Sequence, residues 1–177
     1  MGAVKQLLPV DNRPAVTRCV ENIIKAGVDN IVVVVNPAGN EIVGVMQEFP
    51  VTIAVNDLPE SDMAESVRVG LGAVDGSSTG IFICLSDHPL VVTATLNAMG
   101  REHNVSPDAI IIPMFQGRRG HPTLFPRFIL EELRIHSTLR DVINSHKDKI
   151  LFFNVADEGV VMDMDTPEEY QKILERC

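Results

Sequence analysis

Asp87 stands at the end of an apolar run, Gly80-Ile-Phe-Ile-Cys-Leu-Ser-Asp-His-Pro89. A carboxylate at the end of a dry strand is costly unless something compensates it. A divalent cation is one solution, since Mg2+ favours one or two carboxylates with phosphate and water oxygens. A carboxylate that merely bonds loop amides fits the spacing equally well. His88 reads as a loop histidine at the surface. A second group, Gly117-Arg-Arg-Gly-His-Pro122, places two guanidiniums and an imidazole between glycines. Arginine forks match phosphate oxygens, and glycines let backbone approach a ligand. On spacing alone a solvated hairpin tip explains this loop better. Asp163 and Asp165 flank Met164, which puts them on one face of an expected strand. Asp163 is then a candidate second metal ligand, while Asp165 reads as an organiser of the helix start at Thr166.

The elements that must hold these residues follow from periodicity. Helices are expected over Arg13–Ala26, with Asn12 as N-cap and Gly27 as stop, and over Asn40–Phe49, Asp62–Val74 and Thr93–Arg101. Short helices are expected over Phe128–Leu133 and Leu139–Ser145. Thr166-Pro-Glu-Glu169 is a capping box that opens a last helix to about Glu175. Strands are expected over Ile31–Val35, Val51–Val55, Ile81–Leu85, Ala109–Met114, Ile150–Val155 and Val160–Met164. The β-branched run Ile31–Val35 suits a strand buried on both faces, and Cys84 reads as a small core residue. Strand and helix alternate with short connections, so the expected fold is a single three-layer α/β domain over residues 1–177 with a mainly parallel sheet. Ligands of such sheets collect outside the carboxyl ends of the strands. That rule selects Asn36, Asn56, Asp87, the Gly117–Pro122 loop and Asp163.

Bulk properties narrow the classes. The chain has 177 residues, 45% of them hydrophobic, and a formal charge of −9. That balance excludes a broad nucleic-acid surface, which needs clustered cations, but permits a small phosphorylated ligand. No stretch approaches the roughly 20 apolar residues of a membrane helix, and the first residues lack a signal-peptide layout. The three cysteines, Cys19, Cys84 and Cys177, have no metal-type spacing. A reduced, cytoplasmic setting is expected.

Taken in order, the motifs resemble the MobA-like nucleotidyltransferase superfamily, and within it the molybdenum cofactor cytidylyltransferases. Met1-Gly-Ala-Val-Lys5-Gln-Leu-Leu-Pro9 resembles the end of the family signature. Asn56 with Asp62-Met-Ala-Glu-Ser-Val-Arg68-Val-Gly70-Leu71 resembles the cleft-lining segment. Leu85-Ser-Asp87-His-Pro89 is similar to the Gly-Asp-x-Pro metal motif. Gly117-Arg-Arg119-Gly120-His121-Pro122 is similar to the Arg-Gly-His-Pro loop. Asp163-Met-Asp165-Thr-Pro-Glu-Glu169 resembles the closing Asp-x-Asp-Thr-Pro-Glu-Asp. The resemblance implies a Rossmann-like fold of the nucleotide-diphospho-sugar transferase type. It implies transfer of CMP from CTP to a phosphorylated pterin with release of pyrophosphate, and a molybdoenzyme as eventual acceptor. It further implies that Lys5 contacts the triphosphate, Asp87 and Asp163 hold Mg2+, Asn56 and Ser66 face the cleft, and Arg119 and His121 meet the pterin. The family's first strand and Gly-rich loop, Leu-Ala-Ala-Gly-x-Ser-x-Arg, do not occur in this sequence, which is expected to be truncated relative to the family. Ser86 and Asp62 each stand where the family has Gly, and an Asp62 carboxylate facing the cleft would repel phosphate. A non-catalytic binding or chaperone-like module of the same fold, and a sugar-nucleotide glycosyltransferase, are the alternatives.

Overall fold

The computed structural model describes residues 4–58 and 62–177. Met1-Gly2-Ala3 of the signature motif lie outside the described residues. A 3-10 turn, Lys5–Leu7, leads into a two-residue hairpin of β1 (Pro9–Val10) and β2 (Arg13–Pro14). Its corner is Asp11-Asn12, both at positive φ (54° and 61°), the backbone that hairpins of this length require and that Asp and Asn tolerate. Asn12 is therefore a turn residue and not the expected N-cap. Helix α1 (Ala15–Lys25) starts beyond Pro14 and stops at Gly27, whose φ of 74° is the left-handed C-terminal conformation.

Strands β3 (Val32–Val35) and β4 (Thr52–Val55) run parallel and are joined by α2 (Asn40–Met46). Helix α3 (Met63–Ala73) follows, capped by Asp62, whose side chain accepts from the Glu65 amide. The second sheet is five-stranded. It contains β5 (Gly80–Ile83), β6 (Ile110–Phe115), β7 (Arg118–Arg119), β8 (Thr123–Pro126) and β9 (Ile150–Asn154). Helix α4 (Thr93–Val105) links β5 to β6. Helices α5 (Arg127–Leu130) and α6 (Leu139–Ser145) link β8 to β9, and α7 (Pro167–Leu174) closes the chain behind its capping box.

Three layers result. In the five-stranded sheet, Ile111 and Leu124 pack under Met99 of α4, whereas Ile110, Ile112 and Phe125 pack under α3, α5 and α6 through Leu71, Leu130, Leu133 and Val142. This is the period-2 alternation of a sheet covered on both faces. On the β3–β4 pair, Val33 and Ile53 pack with Val16 and Val20 of α1 and Met46 of α2.

Three expectations change. The pairing is mixed, because the Gln116-Gly117 turn (φ 47° and 80°) folds β7 back on β6 and sends β8 antiparallel between β5 and β6. Among the described residues only β3–β4 and β6–β9 are parallel. The strand expected over Val160–Met164 is instead a 3-10 turn, Glu158–Val161, followed by irregular backbone. The Val160 carbonyl accepts from the His121 amide, a loop partner and not a strand partner. Asp163 thus lies in irregular backbone and Asp165 in a bend, and the two do not share a strand face. Finally, β3 and β5 are not paired with each other. The run Val32–Val34, expected to be buried on both faces, is only half-buried, and Cys84 is exposed, not core. Both border a cleft between the two sheets.

Candidate active site

The carboxyl end of β5 carries the densest polar contacts of the expected residues. Asp87 uses both oxygens. Oδ2 accepts from Lys5 Nζ at 2.7 Å, and Oδ1 lies 3.0 Å from His88 Nδ1. The His88 bond and then Lys5 hold the Asp87 carboxyl well below the usual carboxylate range, against the opposing effect of burial. Asp87 is therefore ionised at any ordinary pH. Lys5 also donates to Asp165 Oδ1 at 2.6 Å. Burial works against its ammonium, but the Asp165 and Asp87 contacts outweigh that and raise its pKa.

His88 is buried, at 7% exposure, which overturns its reading as a surface histidine. Its ring meets His121 edge to face, with centroids 5.3 Å apart at 73°. Desolvation, then His88, lowers the His121 pKa, so that imidazole is neutral near pH 7. His121 is held in place by backbone geometry. Gly120 sits so close to the Glu158–Val161 turn that a Cβ there would lie 2.3 Å from the Val160 oxygen. Only glycine allows that approach, and it lets the His121 amide reach the Val160 carbonyl at 2.8 Å.

Asp163 is half-buried on the same side. Its pKa is raised by desolvation and by the charges of Glu169 and Asp165, while His88 acts weakly in the other direction. Burial is the main reason that ionisation of Asp163 is disfavoured, and the nearby carboxylates add to it. A hard dication would oppose that shift, and Asp87 and Asp163 are the side chains that could offer it oxygens. Among the described residues no group of three or more His, Cys, Asp or Glu could enclose a metal. Any remaining ligands would be water and phosphate oxygens, the usual complement for Mg2+.

The other expected residues make contacts of their own. Asn56 ends β4, is 2% exposed, donates to Ser66 Oγ at 3.2 Å and accepts from the Leu58 amide. It fixes the entry to α3, while Ser66 lines the cleft between the sheets. Asp62 does not confront phosphate as an unpaired charge, because its carboxylate caps α3. Arg119 is exposed, with its guanidinium 4.6 Å from the Phe152 ring centroid.

Two participants were not legible. Spacing points Asp165 only to the helix start, yet it shares Lys5 with Asp87. His88 could be recognised only by its adjacency to Asp87. Met46, Met99 and Met164 are buried core residues. No described helix is long and apolar enough to cross a membrane.

Comparison with known proteins identifies the family and the fold. Residues 1–150 match the family model of the MobA-like NTP transferase domain. No curated protein matches the sequence significantly. The crystal structure of Rv0371c from Mycobacterium tuberculosis H37Rv superposes with a TM-score of 0.85 at 26% identity, covering 99% of this chain and 90% of that one. Its complex with manganese gives 0.83 at 26% identity, covering 98% and 93%. A nucleotidyl transferase from Methanothermobacter thermautotroptrophicus gives 0.82 at 18% identity, covering 97% and 84%.

Proposed function

The chain belongs to the MobA-like NTP transferase domain family, and from that premise we propose that it transfers CMP from CTP to the phosphate of a molybdopterin-type pterin. An acceptor phosphate oxygen forms a bond to the α-phosphorus, the bond from that phosphorus to the bridging β-phosphate oxygen breaks, and pyrophosphate leaves. The acceptor phosphate is already ionised near neutral pH, so the site needs no general base.

The observation that carries this reading is the Lys5–Asp87–His88 arrangement at the end of β5. It provides a carboxylate with fixed orientation and fixed charge, with an ammonium next to it. Catalysis then rests on positioning and charge neutralisation. Mg2+ held by Asp87 and Asp163 would neutralise triphosphate charge and polarise the reacting phosphate. Manganese in the mycobacterial relative supports a divalent ion in this family. Lys5 leans on Asp165 and Asp87 and can turn an amine proton to a phosphate oxygen without a change of protonation. Ser66, oriented by Asn56, faces the nucleotide, and Arg119 and His121 receive the pterin. The cytidine and pterin assignments rest on the resemblance of the ordered motifs to the cytidylyltransferase branch.

The test is pyrophosphate release from CTP and a reduced pterin phosphate with Mg2+, with ATP and GTP as competitors. Asp87→Ala should lower the rate by about a hundredfold to a thousandfold, the size typical of losing one key electrostatic group. Unchanged turnover in that variant would reject the assignment. A second reading, a module that binds Mg-nucleotide without turnover, draws on the open cleft between β3 and β5. Nanomolar to micromolar nucleotide binding by calorimetry without pyrophosphate release would favour it.

A further inference from the structure

Strand β9 pairs with β6 along one side, and among the described residues no strand pairs with its other side. One bond gives the direction of its peptide groups. The Val155 amide donates to the Met114 carbonyl at 2.9 Å. In a parallel ladder a residue that turns its amide to the partner turns its carbonyl there too, and every second residue does the same. Leu151, Phe153 and Val155 therefore bond β6. The amides and carbonyls of Ile150, Phe152 and Asn154 point the other way, out of the edge of the sheet.

Exposed edges of this kind are normally blunted by shortness, charge or proline. Strand β7 follows that rule, since it is two residues long and both are exposed arginines. Strand β9 does not follow it. Ile150-Leu-Phe-Phe-Asn154 carries neither a charge nor a proline, and Phe152 is 44% exposed. A groove of about 640 Å3 borders the same strand on the α4 side, where Ala94, Thr95, Ala98 and Val155 leave room for the side chains of an added strand.

Charge selects which strand. Lys147 and Lys149 precede β9, and Asp157 and Glu158 follow it. An antiparallel copy of the same segment sets the lysines of each chain against the acids of the other, whereas a parallel copy would set like against like. The acids are held in place within their own chain. Asp157 accepts from the Val92 amide and the Thr95 hydroxyl, and Glu158 accepts from Arg176.

We infer that β9 is a dimer interface, at which two copies of this chain pair antiparallel through Ile150–Asn154 about a two-fold axis at Phe152. In that register Phe152 exchanges both hydrogen bonds with its own copy, and Ile150 exchanges both with the partner's Asn154. Every outward peptide group of the strand is then paired, as a self-complementary two-fold interface requires. The two Phe152 rings stand side by side as an aromatic cross-strand pair. Lys147 comes opposite the partner's Asp157. The inference concerns assembly and is independent of the proposed reaction.

Sedimentation velocity of the full chain, from micromolar to millimolar concentration, should show a monomer passing to a dimer. Asn154→Pro removes an outward amide and places a ring where the partner strand would lie, but it breaks no bond to β6. It should stay folded by thermal unfolding and monomeric throughout. Lys147→Glu with Lys149→Glu should raise the dimer Kd by about tenfold at low salt. In the wild type the amides of Ile150, Phe152 and Asn154 should exchange about tenfold more slowly in the concentrated sample, with those of β6 unchanged. That comparison needs no variant and decides the question even if Asn154→Pro fails to fold. A monomer at every concentration overturns the inference, and is the result expected if the edge serves a strand of another protein. A dimer that Asn154→Pro or the lysine substitutions leave intact overturns it too, as does one that forms without slowing those three amides.

Discussion

The five-stranded sheet and the β3–β4 pair are made of similar aliphatic residues but packed to different depths. Ile110, Ile111, Leu124 and Phe125 are sealed from both sides, at 0 to 2% exposure. Val32, Val33 and Val34 carry equally strong strand character and remain half-buried. The difference is one of neighbours within the layer. A strand is buried on its faces by helices and along its edges by other strands, and among the described residues β3 has edge cover from β4 alone. Composition therefore measures what a strand can bury, and topology decides what it does bury.

Core truncations should expose that contrast most strongly. Phe125→Ala is expected to cost about 3–5 kcal/mol, as for large-to-small changes in a sealed core. Val33→Ala should cost about 1 kcal/mol or less, because its site is already open. Equal losses in urea unfolding would remove the distinction between the two sheets. Next in size is Gly120→Ala, which sets a methyl against the Val160 carbonyl. Overpacking of that kind costs about 1–3 kcal/mol, and nucleotidyl transfer should fall with it because His121 is displaced. If the variant keeps both its unfolding midpoint and its rate, the loop is not anchored as described.

Acid titration separates the two ends of the site. The folded pKa of Asp87 lies below its unfolded value of about 3.9. Its contribution is thus complete above that value and is lost as pH falls through it toward the lower folded pKa. The wild type's advantage over Asp87→Asn in thermal midpoint should be level at pH 6–7 and vanish in strong acid; an advantage that grows with acid would contradict the ion pair. The smallest effect is expected at Arg119→Ala, about 0.5–1 kcal/mol for an exposed cation–π contact, visible in unfolding but with no change in the pKa behaviour of Asp87.

Local chemistry made much of the fold readable. The capping box at Thr166, the Gly27 stop and the β-branched run at Ile31–Val35 each carry their own cause within a few residues. Strand β8 is masked in the sequence by Pro122 and Pro126, which bracket it, although Pro126 pairs with Gly80 at a strand end where no donor is required. The run Val160–Met162 has the residues of a strand, but its bonds go to the Gly120–His121 loop, and no periodicity within the run reveals that. At the site, Asp87 was readable from the strand that ends before it. Its bond to Lys5 spans 82 positions, and the bond from Lys5 to Asp165 spans 160, separations at which spacing carries no signal.

Those spans bear on the order in which the molecule assembles. The two ends of the chain are joined by Lys5 with Asp165, by the Tyr170 hydroxyl donating to the Pro9 carbonyl, and by Val10 and Ala15 packed against Met164 and Ile173. Closing so long a loop costs entropy before any contact repays it, whereas the β6–β7 hairpin forms between near neighbours. The sheet can therefore organise first, and the lysine that neutralises Asp87 reaches it only when head and tail of the chain meet, making this clasp a late event on the way to the native state.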